Sequence, residues 1–112
     1  MRLQPIVSTA SMDEAVRWYG AVLGCTPVFR SESWTAFETG GALLGIHLGE
    51  RAETAGPVAL SLVATAPLEE VLARLAAAGI TPEGGVVDQP FGRSILLRDP
   101  EGLAVQVNEH RS

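Results

Sequence analysis

The sequence is short of cysteine, of basic residues and of long apolar runs, and each shortage excludes something. Cys25 is the one cysteine in 112 residues, so no internal disulfide framework exists. That usage fits a reducing, cytoplasmic setting. Lys and Arg total 8 against 13 Asp and Glu, a formal charge of −5, which argues against a nucleic-acid partner because such binding needs a basic face. No apolar run approaches the roughly 18 residues of a membrane span, so no membrane partner is expected. The opening MRLQPIVSTASMDEA holds a single Arg and no long apolar stretch, and so does not read as a secretory signal.

What is present is apolar and patterned. At 46% hydrophobic residues, the chain can bury a core as one domain without staples. The clearest local signal is FGRSILLRDPEGLAVQVNEH at 91–110, where two strands, 94–98 and 103–108, flank Asp99-Pro100-Glu101-Gly102. Proline presets φ at the second turn position, Asp bonds its own backbone at the first, and Gly suits the fourth. Leu103, Val105 and Val107 alternate with Ala104, Gln106 and Asn108. One row needs a core; the other faces water or a ligand.

From the N-terminus, Leu3, Pro5 and Val7 alternate with Gln4, Ile6 and Ser8 as a first strand, which Pro5 confines to an edge or a bulge. Ser11-Met12-Asp13-Glu14 is a capping box and predicts a helix to about Leu23. Its buried stripe is Ala15, Val16, Tyr19, Val22 and Leu23, and Gly24 ends it as a left-handed cap. Strands follow at 27–30, 34–38 and 42–48, the last two joined by Thr39-Gly40-Gly41. Residues 50–56 form a polar connector. The strand at 58–63 reads as buried on both faces. Pro67 opens a second helix with Leu68, Val71, Leu72, Leu75 and Ala76 on its stripe and Gly79 as its cap. Pro82 to Gln89 is a further strand, opened by Gly84-Gly85.

The chain repeats. A shift of 55 residues places Glu14 on Glu69, Val16 on Val71, Ala21 on Ala76, Gly24 on Gly79, Thr26 on Thr81 and Pro27 on Pro82. The shared Gly-x-Thr-Pro marks the same joint after each helix. Each unit reads β-α-β-β-β, with module one at about 1–50 and module two at about 57–110 of a single domain.

This layout, with WYGAVLG at 18–24 and LLRDPEGLAVQV at 96–107, resembles the glyoxalase / bleomycin-resistance / extradiol-dioxygenase superfamily, the vicinal oxygen chelate proteins. The resemblance implies an α+β fold in which two βαβββ modules form a curved mixed sheet that cups a ligand. Helices then cover the convex face, and the protein is a homodimer. It further implies that Gln4, His47, Gln106 and Asn108 line the cup, and the expected ligand-binding set is these four with Trp34 and Phe37. Enzymes of the family hold a divalent metal at four strand positions, which fall here on Gln4, His47, Pro57 and Gln106. Pro57 has no donor, and Gln4 and Gln106 bring no charge; one His and two neutral amides make a poor site. The expectation is a small-molecule binding protein without a metal cofactor, of the kind that sequesters a planar or cationic antibiotic. The alternative is a divalent-metal lyase, isomerase or dioxygenase, which needs a rearranged ligand set such as His47 with Glu109 or His110. An accessory domain with no small ligand is the third reading.

The remaining residues carry weaker expectations. His47 is either a hydrogen-bonded pocket histidine or a ligand or acid–base contact. Trp34 either packs half-buried on its strand or offers a stacking platform. His110 reads as surface, Cys25 as a small buried filler, and Trp18 as an edge or interface residue. Glu38 and Asp88 are solvated acids or negative charge at the cup rim. Arg93 and Arg98 are expected in surface pairs with Asp99 or Glu101.

Overall fold

The computed structural model describes residues 2–49 and 60–111, and the chain divides into two units, 1–56 and 57–112. Unit one runs β1 (Ile6–Thr9), α1 (Met12–Leu23), β2 (Phe29–Arg30), β3 (Trp34–Glu38) and β4 (Leu43–Leu48). Unit two runs β5 (Leu60–Val63), α2 (Leu68–Ala77), β6 (Glu83–Gln89), β7 (Gly92–Arg98) and β8 (Ala104–His110). Each unit forms a four-stranded mixed sheet, ordered β1-β4-β3-β2 and β5-β8-β7-β6. In both, the strand before the helix pairs in parallel with the unit's last strand, and the other pairs are antiparallel. The 55-residue repeat is thus a repeat of topology, and the α+β architecture of two βαβββ modules is what the chain forms.

In unit one the helix start departs from the expected capping box in one respect. Ser11 Oγ accepts the Glu14 N–H at 3.4 Å, as the motif requires. The Ser11 N–H, however, donates to Thr9 Oγ1 at 3.1 Å, so the residue that ends β1 takes the role expected of Glu14. Gly24 closes α1 at φ 72°, its N–H bonded to the Gly20 carbonyl. The helix buries Met12, Ala15, Val16, Tyr19 and Val22, while Leu23 stays half-buried. Beneath it lie Val7, Thr9, Thr35, Phe37, Leu44 and Ile46, all buried on one face of the sheet. The buried Thr35 hydroxyl donates to Met12 Sδ. Cys25 is exposed and not the filler expected of it, because the left-handed glycine before it turns the chain off the buried stripe.

Unit two solves its helix start with a distant residue. Pro67 offers no side-chain acceptor, and Glu109 at the end of β8 supplies one: its Oε2 accepts the Leu68 N–H at 2.6 Å. Glu109 Oε1 accepts from Arg93 Nε at 2.8 Å, and Arg93 reaches on to Glu69 in the first turn of α2. Arg93 therefore pairs with Glu69 and Glu109, not with the turn acids expected, since β7 and β8 register places it opposite Glu109. Arg98 pairs with Glu83 on β6. The Leu68 N–H and then the Arg93 guanidinium hold the Glu109 carboxyl below the usual carboxylate range. Leu68, Val71 and Leu75 of α2 are buried over Ile95, Leu97, Val105 and Val107. Leu72 is only half-buried and Ala76 is exposed, so the helix buries a narrower stripe than expected. Gly79, at φ 75°, follows its last turn and ends it as expected.

The strand expected over 58–63 is described from Leu60, and it is not buried on both faces. It is the edge of its sheet, and Val63 is 59% exposed. The turn between β7 and β8 is built around Asp99, whose Oδ1 accepts the N–H groups of Glu101 (2.9 Å) and Leu103 (2.8 Å). Gly102 sits at φ 85°, a region that excludes β-branched residues.

Two outcomes test these joints. Gly102→Val should lower the melting temperature well beyond Glu101→Ala; equal values would show that the turn does not need positive φ. Glu109 has a depressed folded carboxyl, so its stabilisation is present above about pH 4.5 and fades as pH falls through the lower folded value. Glu109→Gln should accordingly melt lower than wild type at pH 7, with the gap narrowing in acid. A gap independent of pH would remove the ionised carboxylate from the account.

Candidate functional site

The face of each sheet turned from its helix carries most of the residues singled out in the sequence. In unit one, Trp34 pairs across the strands with His47, Ala36 with Gly45, Ser8 with His47, and Ile6 with Gly45. Directly paired residues share a face, and residues two apart along a strand do too. Ile6, Ser8, Trp34, Gly45 and His47 therefore lie together, opposite the helix-covered core.

Trp34 is seated on Gly45. A Cβ at position 45 would come within 2.3 Å of Trp34 Cη2 and 2.6 Å of Cζ2, so only glycine admits the indole there. The strand start beneath it is fixed by Ser31, whose Oγ accepts the Trp34 N–H and donates to the Trp34 carbonyl, both at 3.1 Å. A Cβ at Gly49 would stand 3.0 Å from His47 Cε1, so the imidazole also lies close over backbone. Trp34 remains half-buried and His47 is exposed. Around them, Ile6 and Phe29 are exposed apolar side chains.

Phe37 does not belong to this group. Its side chain is fully buried, three residues from Trp34 and therefore on the opposite, helix-covered face. Gln4 is exposed ahead of β1, where the carbonyls of Leu3 and Pro5 accept the N–H groups of Leu43 and Gly45. In unit two, Gln106 pairs with Ser61 and Leu96, and Asn108 with Val63 and Ser94. Both are half-buried and lie two apart on the face away from α2.

The donors do not fit a divalent cation. Among the described residues no three His, Cys, Asp or Glu side chains come together, and Pro57 lies outside those residues. The rearranged sets fare no better. Glu109 is engaged by the Leu68 N–H and Arg93, and His110 packs edge-on to Phe91 at 5.2 Å. His47 with neutral amides lacks the charge such an ion needs.

Glu38 is not a lone acid: it pairs with Arg2, which lowers its carboxyl pKa. Trp18 is half-buried and meets Tyr19 edge-to-face at 4.7 Å. A cleft of about 500 Å³ opens at the start of α1, between Asp13, Arg30 and Leu48, but none of the six expected ligand residues lines it. Two residues essential to the Trp34 arrangement, Gly45 and Ser31, escaped the sequence reading. The serine three positions before the tryptophan was the available signal for one; the glycine had none, because its neighbour is set by strand register.

A family model described as Glyoxalase/Bleomycin resistance protein/Dioxygenase superfamily matches residues 3–107. The chain belongs to that superfamily. It is 25% identical to virulence protein STM3117 of Salmonella typhimurium over 97% of this chain and 84% of that protein. It superposes on a glyoxalase / bleomycin resistance protein from Catenulispora acidiphila with a TM-score of 0.77 at 26% identity, covering 99% of each chain. A lactoylglutathione lyase from Agrobacterium tumefaciens matches with a TM-score of 0.75 at 22% identity over 97% of this chain and 92% of that one, a likeness of fold.

Gly45→Ala tests the seat. It should cost roughly 1–3 kcal/mol, the usual range for overpacking, and shift the Trp34 indole N–H resonance. An unmoved resonance with an unchanged melting temperature would show that the indole does not lie there.

Proposed function

We propose that this superfamily member binds a small planar ligand without a resident metal, and that Trp34 is its principal contact. The observation that carries this reading is the Trp34 indole seated on Gly45 beside His47, half-exposed on the face away from the helix. An aromatic ring fixed by backbone beneath it loses little freedom on binding, so stacking is inexpensive. Exposed Ile6 and Phe29 extend the apolar surface. The net charge of −5 favours a cationic ligand, which the indole face also attracts. His47 supplies a hydrogen bond or a second ring. Such a site holds and sequesters its ligand; it makes and breaks no bonds. The alternative, a metal-dependent lyase, isomerase or dioxygenase, requires a donor set that His47, Gln4 and Gln106 do not provide.

A homodimer in the cytoplasm is part of the same proposal. No described helix is long and apolar enough to cross a membrane. Sedimentation at micromolar concentration should give the mass of two chains, and a clean monomer would contradict the assembly.

The site itself is tested with a planar cation selected from a binding screen. Chelator should leave its affinity unchanged, Trp34→Ala should weaken it by roughly 1–3 kcal/mol, and His47→Ala by roughly 0.5–1.5 kcal/mol. One divalent ion per chain surviving purification, with binding lost to chelator and to His47→Ala alike, would overturn the metal-free reading.

A further inference from the structure

We infer that the cleft at the start of α1 is a ligand site separate from the Trp34 face, and that it takes a small zwitterion, an α-amino acid with an aliphatic side chain. The ligand carboxylate pairs with Arg30 and its ammonium with Glu32. The cleft lies wholly within unit one, where the first turn of α1, the turn from β2 to β3 and the end of β4 meet. Its volume of about 500 Å³ suits a small molecule. It shares no residue with the outward group around Trp34, so the inference stands apart from the binding reading above.

Three charged side chains line the cleft: Asp13, Arg30 and Glu32. Arg30 Nη2 donates to Asp13 Oδ1, and among the described residues the other guanidinium nitrogens and the Glu32 carboxylate have no partner. An exposed pair of this kind adds little to stability; its effect is to place the guanidinium at the cleft. With one nitrogen engaged, Arg30 keeps N–H groups free to hold a carboxylate. One positive charge stands against two negative ones. A plain anion is repelled by both carboxylates and a plain cation by the guanidinium, whereas a zwitterion meets each charge with its opposite. Met12, buried, and Leu48, half-buried, supply the apolar lining that an aliphatic side chain covers. The backbone around the cleft is tied down. The Leu48 N–H donates to the Ser33 carbonyl at 3.0 Å, and Ser31 Oγ bonds both the N–H and the carbonyl of Trp34. The turn that carries Glu32 is thus fixed to β3 and β4, and its charge is presented from a set position.

The test titrates the labelled full chain with L-leucine and with its two half-molecules. Leucine at millimolar concentration should move the backbone amide resonances of Asp13, Ser31 and Glu32. 3-Methylbutylamine, which lacks the carboxylate, and 4-methylpentanoate, which lacks the ammonium, should each bind about 10-fold more weakly, the loss expected for one charged hydrogen-bonded contact. This comparison uses wild-type protein and does not depend on any variant folding. Arg30→Gln should bring leucine down to the affinity of the amine, and Glu32→Gln to that of the carboxylate. Both side chains are exposed, so both variants should melt near wild type. Trp34→Ala should leave leucine affinity unchanged, which lets the two sites fail separately. An analogue that binds wild-type protein as tightly as leucine would overturn the zwitterion. Leucine that moves none of the three amides, or that binds both variants as it binds wild type, would overturn the site.

Discussion

One helix lies over one face of a four-stranded sheet in each unit, and that single layer organises everything else. Strand side chains alternate, so the inner strands turn one face to the helix and the other away from it. Val7, Phe37, Leu44 and Ile46 in unit one, and Ile95, Leu97, Val105 and Val107 in unit two, belong to the helix-covered face. The other face is not covered by the helix, although Ala36 and Ser94 on it are buried. There an indole can lie over glycine, a histidine can stay exposed and an asparagine can keep an unpaired oxygen. Strand parity thus separates the helix-covered core from the face that carries Trp34 and His47.

The charged residues mostly fasten elements together. Arg93, Glu69 and Glu109 fasten the start of α2 to β7 and β8, and Asp99 spends Oδ1 on two backbone amides of a turn. Glu38 is held by Arg2 and Glu83 by Arg98. The donors to Glu38, Glu69 and Glu109 lower their carboxyl pKa values, which makes these three poor general bases.

Several sequence expectations failed at the same kind of place. Phe37 was grouped with Trp34, although an odd spacing along one strand puts the two on opposite faces, and it proved to be core. The apolar run at 58–63 predicts a strand buried on both faces, yet the described part, Leu60–Val63, is an edge with Val63 59% exposed. Cys25 was read as buried from its residue type, while the left-handed glycine before it decided the matter.

The sequence by itself determined the features that depend on a few neighbouring residues. These were the order of elements in each unit, the Ser11 cap, the left-handed glycines at 24, 79 and 102, and the Asp99 turn. Each rests on local backbone sterics or on bonds spanning at most a handful of positions. Only the tertiary structure decided that Glu109 caps a helix 41 residues earlier, that Arg93 joins it to Glu69, and that Trp34 lies on Gly45. These depend on strand order and register, which bring together residues whose spacing in the chain carries no trace of the contact.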